Sequence, residues 1–399
     1  MKKVLAISEH IGPAKAIRQV VKVLRDVKDI KTIIYPTAMT YSAFSGYPEL
    51  KNLPKSEFEN IRGEYMKSGD LESFVQNTFE SENPDLILTG SLQPKQAIDK
   101  SMIREANKRN IPSVCLMEYW CNPEQYKKRF PSKEFIPTKI MALDEIDKKN
   151  LVSANIPTER IVVAGHPSFD ACKNERKSFL GNQQDILVKL GFNYNPYSFL
   201  VTYIPDPIHS DNYPVNKSLL TNFDTLKTIR KGCALMCDFD DAYIHIPIML
   251  HFKDLKAKNG VYEWKEIISS VENKIPSDRL DVRLGRKSLD DKINLDHVRL
   301  VSDLVISGRS TSGAECLYLG APVVILQPEI PYEENGLKHF IDEGIIPASN
   351  DVEMGSQIIL KMLVDEDFKS HYIEKQNKYK NQPLATPKII NEMIKLLFI

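Results

Sequence analysis

Nine consecutive residues, Ser307-Gly308-Arg309-Ser310-Thr311-Ser312-Gly313-Ala314-Glu315, carry the densest chemistry in the chain. The apolar run Leu304-Val305-Ile306 leads into them, and a helical pattern from Ala314 to Leu319 follows. A strand that turns through small residues into a helix leaves backbone N–H groups unpaired at the positive end of the helix dipole, where a phosphate binds. Gly308 and Gly313 admit close approach of the backbone, the hydroxyls of Ser310, Thr311 and Ser312 add donors, and Arg309 can pair with phosphate charge. Glu315 falls on the first turn, where its carboxylate can accept hydrogen bonds from two ribose hydroxyls. The same residues also fit a plain helix start, because Ser312 and Glu315 have the S-x-x-E spacing of a capping box. Gly320-Ala321-Pro322 then ends the helix and opens the next strand.

The elements that must position this segment alternate in a regular way. Short apolar runs at 3–8, 31–35, 85–89, 112–116, 139–143 and 160–163 read as buried strands, and helix-length segments separate them. Ala16, Val20, Val21 and Leu24 fall on one face of the first such helix. Strands separated by helices predict a parallel sheet covered on both faces. A polar stretch from Cys172 to Pro196 has no strand signal, and a second series follows, with strands expected at 198–202, 234–236, 243–246, 304–306 and 323–326. The expected fold is α/β: two consecutive doubly wound, Rossmann-like domains, each with a ligand crevice at the carboxyl ends of its strands. The expected boundaries are 1–172 for the first domain, 173–197 for a linker, 198–380 for the second domain, and 381–399 for a C-terminal helix that can cross back to the first.

The stretch DLVISGRSTSGAECLYLGAPVVIL resembles the nucleotide-binding signature of the glycosyltransferase-B fold, as found in lipid A disaccharide synthase, the peptidoglycan precursor transferase and UDP-N-acetylglucosamine 2-epimerase. A second match is Ile156 to Asp170, where Val163-Ala164-Gly165-His166-Pro167 is similar to the Gly-Asn-Pro end of the last N-domain strand in these families. The resemblance implies that Gly165, His166, Ser307, Gly308, Arg309, Ser310, Thr311, Ser312, Gly313 and Glu315 bind the nucleotide of a nucleotide-sugar, UDP-linked, held as substrate with no cofactor. It also implies that the first domain faces the nucleotide across a cleft and carries the acceptor. Ser8-Glu9-His10-Ile11-Gly12 resembles the opening loop of lipid A disaccharide synthase, which makes Glu9 and His10 candidates for the base that an inverting transfer needs. Glu118 is the third candidate, at the end of Val114-Cys115-Leu116-Met117 and beside Tyr119-Trp120, whose rings can stack on a sugar or base.

The function implied is transfer of a sugar from a nucleotide-diphosphate sugar to an unidentified acceptor. A UDP-sugar 2-epimerase, hydrolysing or not, is the first alternative, and a non-catalytic nucleotide-binding member of the fold is the second. The epimerases carry a His-Arg and a Glu-Asn pair near the start of their second domain, where this chain has Thr202-Tyr203-Ile204-Pro205-Asp206-Pro207. They also have a histidine where Leu116 stands, and both departures favour transfer. Asp206 and His209 are open between lining the site and ordinary loop polarity. His245 reads as a core histidine. Asp238, Asp240 and Asp241 read as a solvated acidic turn, and no metal is expected.

Lys plus Arg equals Asp plus Glu at 53 each, so no global field draws the protein to nucleic acid or an anionic membrane, and any anion is held locally. The six cysteines lack zinc spacing and read as reduced thiols. MKKVLAIS fits neither a signal peptide nor a membrane span, which makes a cytoplasmic protein the expectation.

Overall fold

A computed structural model describes residues 1–9, 11–36, 71–90, 98–193, 195–208, 215–239, 242–286, 294–308, 311–327 and 336–398. Two compact units divide the chain: Met1–Ala171 with Pro383–Ile399, and Cys172–Gln382.

The first unit is a six-stranded parallel sheet made of β1 (Lys2–Ser8), β2 (Ile30–Pro36), β3 (Leu86–Thr89), β4 (Ser113–Leu116), β5 (Lys139–Ala142) and β6 (Ile161–Val163), in the order β2-β1-β3-β4-β5-β6. Successive residues of its central strands enter different cores. Val4, Ala6, Leu86 and Leu88 pack with the helices Ile11–Leu24 and Ala385–Leu397, whereas Leu5, Ile7 and Ile87 pack with the helices Leu71–Glu82 and Ile98–Lys108. Burial on both faces is why these strands read as unbroken apolar runs. The helix Ala385–Leu397 starts on a side chain of the same unit, because Asp170 accepts from the backbone N–H groups of Ala385 (2.9 Å) and Thr386 (2.7 Å).

The second unit is built the same way from β7 (Ser198–Ile204), β8 (Tyr243–Met249), β9 (Leu280–Arg286), β10 (Leu304–Ser307), β11 (Val323–Leu326) and β12 (Ala348–Ser349), in the order β12-β11-β10-β7-β8-β9. An aspartate braces the reversal of strand order in both sheets. Asp85 accepts from Lys3 N at 2.8 Å where β3 meets β1, and Asp303 accepts from Leu200 N at 2.8 Å where β10 meets β7.

One expectation is corrected, and further elements appear. Residues 234–236 are not a strand: they belong to the helix Val215–Phe239, whose buried positions Leu226, Ile229, Cys233, Met236 and Cys237 keep helical spacing, so a three-residue apolar run was too short to set the period. The edge strand β9 and the two-residue β12 were not anticipated. Residues 173–197, expected as a linker, carry the rest of the helix Pro167–Ser178 and the helix Gln183–Lys189 inside the second unit.

Candidate functional site

Parallel sheets bind ligands outside the carboxyl ends of their strands, at the point where strand order reverses. In the second unit that point lies between β7 and β10. Ser307 ends β10, is fully buried, and its Oγ has no hydrogen-bond partner among the described residues. Gly308 follows, and a Cβ there would stand 2.6 Å from Oδ2 of Asp206, two residues past the end of β7. The two loops therefore meet backbone to carboxylate, and only glycine fits. Asp206 is fixed in turn: its carbonyl accepts from Asn222 Nδ2 at 3.1 Å, and Asn222 Oδ1 accepts from the Tyr203 hydroxyl at 2.8 Å.

The helix Ser312–Leu319 begins directly after this turn. The capping-box alternative is not realised. Thr311 precedes the helix with helical dihedrals and makes no side-chain cap, and Ser312 is already the first helical residue. Glu315 instead pairs with Arg299: its Oε2 lies 2.7 Å from Nη1 of the guanidinium. Gly313 also has a packing role. A Cβ there would meet Ile325 Cδ1 and Leu337 Cδ1 at 2.9 Å each, so the glycine lets the helix lie close on β11. Gly320, at φ 77°, closes the helix in the left-handed region that favours glycine. Arg309 and Ser310 lie outside the described residues, as do His10, His209, Asp240 and Asp241.

In the first unit the reversal lies between β1 and β3, and carboxylates gather there. Glu9, 7% exposed, accepts through Oε2 from Ile98 N at 3.3 Å, at the start of the helix Ile98–Lys108. The second residue of that helix, the fully buried Asp99, accepts from Glu9 N at 3.4 Å. Burial, and then the charges of Glu9 and Glu118, push the Asp99 carboxyl well above the usual range, although the Glu9 N–H pulls the other way. Asp99 Oδ1 and Arg129 Nη1 are both buried without a hydrogen-bond partner among the described residues. Such orphaned atoms mark a place where water or ligand is to be expected.

Glu118 is half-buried just past β4, and its Oε2 would lie 2.3 Å from a Cβ at position 12, at the start of the helix Ile11–Leu24. Gly12 is what lets the carboxylate sit there. Next to it, the buried Arg129 guanidinium lies 4.4 Å from the Tyr119 ring centroid. Trp120 donates to Asp144 at 2.7 Å and is buried, so of the two rings expected to stack on a sugar only Tyr119 is partly accessible. Among the described residues no group of three or more His, Cys, Asp or Glu is placed to hold a metal ion.

Gly165, with φ 91°, and the buried His166 lie just past β6 in the first unit. His166 Nδ1 accepts from Ser168 N at 3.1 Å, and its ring stacks on Phe169 with centroids 4.5 Å apart. His245 is a core residue of β8, with Nε2 3.1 Å from Ser198 Oγ and its pKa lowered by burial. All six cysteines are buried, and none forms a disulfide. No described helix is long and apolar enough to cross a membrane.

Asp99 and Arg299 were not anticipated. For Asp99 a signal existed: it shares a helical face with Met102, Ile103 and Ala106, and a charge on an apolar stripe needs a reason.

Two doubly wound parallel units in this order, with a strand–turn–helix signature in the second, define the glycosyltransferase-B fold. No protein-family model and no curated protein matches the chain. Solved structures do. The UDP-bound MnaA of S. aureus is similar at 16% identity and TM-score 0.63, over 100% of this chain and 97% of its own. UDP-GlcNAc 2-epimerase from Neisseria meningitidis, bound to UDP-GlcNAc, is similar at 15% identity and TM-score 0.61, over 98% and 100%. The glycotransferase of kitacinnamycin is similar at 13% identity and TM-score 0.59, over 99% of each.

Proposed function

We propose that this chain is an enzyme acting on a nucleotide-diphosphate sugar, UDP-linked, with the nucleotide taken by the second unit. One observation carries the nucleotide reading: at the reversal of the second sheet an orphaned, fully buried Ser307 hydroxyl, the Gly308 backbone and the N-terminus of the helix Ser312–Leu319 follow one another within six residues. Hydroxyl, backbone amide and dipole are the donor set that a diphosphate requires.

For the chemistry we favour epimerisation at a sugar carbon, with Glu118 as an acid–base group. Inverting a C–H carbon takes a proton from one face and returns one to the other, which calls for two groups near each other. Glu9, Asp99 and Glu118 supply more than one, whereas transfer needs a single base. The prevalence of UDP-GlcNAc 2-epimerases among proteins of similar fold supports the same reading. Sugar transfer is the second reading, favoured by Leu116 and by Thr202 to Pro207, where the epimerase pairs are missing. UDP titrated into the full chain by calorimetry tests the nucleotide claim. Saturable binding, weakened at least tenfold in Glu315→Gln, is expected, and absence of binding by UDP and other nucleoside diphosphates at millimolar concentration would overturn it.

A further inference from the structure

The geometry points to Arg299 as a positioning residue that orients Glu315 for the ribose, an inference that rests on the nucleotide reading above and extends it. Arg299 lies on the helix Leu295–Val301 and is 1% exposed. Its Nη1 meets two carboxylates at once: it donates to Asp296 Oδ1 at 2.8 Å, one turn earlier on the same helix, and forms an ion pair with Glu315 Oε2 at 2.7 Å on the helix Ser312–Leu319. Asp296 thus fixes the guanidinium from its own helix, and the guanidinium fixes Glu315 from the side away from solvent.

The closest approach of the pair is through Oε2, which makes Oε1 the farther oxygen from the guanidinium. Glu315 keeps 28% of its side chain exposed while Arg299 is sealed. A carboxylate oxygen has two lone pairs, so one oxygen held and one presented is enough for the vicinal hydroxyls of a ribose. Burial lowers the pKa of Arg299, but Glu315, Cys316 and Asp296 raise it further, which keeps the cation present throughout the accessible pH range. A buried cation with two acidic neighbours does not relax when ligand arrives. It therefore presets the rotamer of Glu315, and preorganisation of this kind turns a contact into affinity.

Affinities of UDP and 2′,3′-dideoxy-UDP, measured by calorimetry on the full chain, test the assignment. Wild type should prefer UDP. In Arg299→Lys, UDP should weaken about tenfold or more while the dideoxy analogue is unchanged, as loss of a charge-assisted hydrogen bond predicts. The double variant Arg299→Lys/Glu315→Gln should bind UDP no worse than Glu315→Gln alone, because the arginine acts through the glutamate. If Arg299→Lys does not fold, Asp296→Asn, at the half-exposed end of the relay, should reduce the UDP preference in the same sense. Parallel loss of both ligands, or additive effects in the double variant, would show a purely structural arginine and overturn the inference. Failure of the wild type to bind UDP at all would instead defeat the nucleotide reading, and this inference with it.

Discussion

Gly12→Ala is the smallest change that should disable the chemistry while sparing the fold. A Cβ at position 12 would stand 2.3 Å from Glu118 Oε2, and ordinary contact begins near 3.4 Å, so the carboxylate must retreat by about 1.1 Å. The other nearby atom, Glu118 Cδ, is already at 3.4 Å, and among the described residues outside its own helix no other atom is met within 4 Å. Position 12 lies in the first turn of a helix, where alanine is favoured over glycine by roughly 0.5–1 kcal/mol. The expected stability change is therefore small. Displacing a reacting group by about 1 Å costs on the order of 10²-fold in rate. Turnover of UDP-GlcNAc should fall by about that factor, with UDP affinity and melting temperature close to wild type. Wild-type turnover in Gly12→Ala would refute the argument that Glu118 acts from the place where Gly12 lets it sit. Loss of turnover together with a much lower melting temperature would refute it as well, by showing a packing role.

Other expectations concern stability and pH. Gly313→Val should destabilise the protein by about 1–3 kcal/mol in urea melts, since its Cβ enters the 2.9 Å contacts with Ile325 and Leu337, and wild-type stability would contradict the packing role. Burial raises the Asp147 carboxyl from 3.8 to about 7, although the Tyr126 hydroxyl and the Leu143 N–H (2.9 Å) pull it down. The folded state thus holds a proton that the unfolded state releases, and stability falls as pH rises from 3.8 towards 7. Asp147→Asn removes this slope. Its melting temperature should gain on wild type between pH 5 and pH 8, by an equivalent of up to about 2.5 kcal/mol, and a gap independent of pH would contradict the assignment.

Much of the fold was legible because parallel strands buried on both faces, such as Val4-Leu5-Ala6-Ile7 and Val323-Val324-Ile325-Leu326, are short apolar runs that need no alternation to be seen. Strand β9 escaped because it lies at a sheet edge, where Leu280, Val282 and Leu284 face the core and charged residues interleave. The nucleotide signature was legible because strand, turn and helix are contiguous. What orients it was not: Arg299 lies sixteen positions before Glu315 on a separate helix, and Asp206 reaches Gly308 from a loop about a hundred residues earlier. In the first unit, too, nothing local announces that Asp99 bonds to Glu9 or that Glu118 lies over Gly12. Those meetings are made by strand order, through which distant loops share one end of a sheet.

The most direct test of the whole account is proton NMR of UDP-GlcNAc incubated with the full chain in D2O, followed with wild type and with Glu118→Gln. Epimerisation by acid–base carboxylates predicts loss of the carbon-2 proton signal, solvent deuterium in both substrate and the carbon-2 epimer, and a fall of about 10²–10⁴-fold in Glu118→Gln with UDP affinity retained. A wild-type enzyme that binds UDP but leaves UDP-GlcNAc unexchanged and unaltered, or a Glu118→Gln variant that turns over at the wild-type rate, would contradict it.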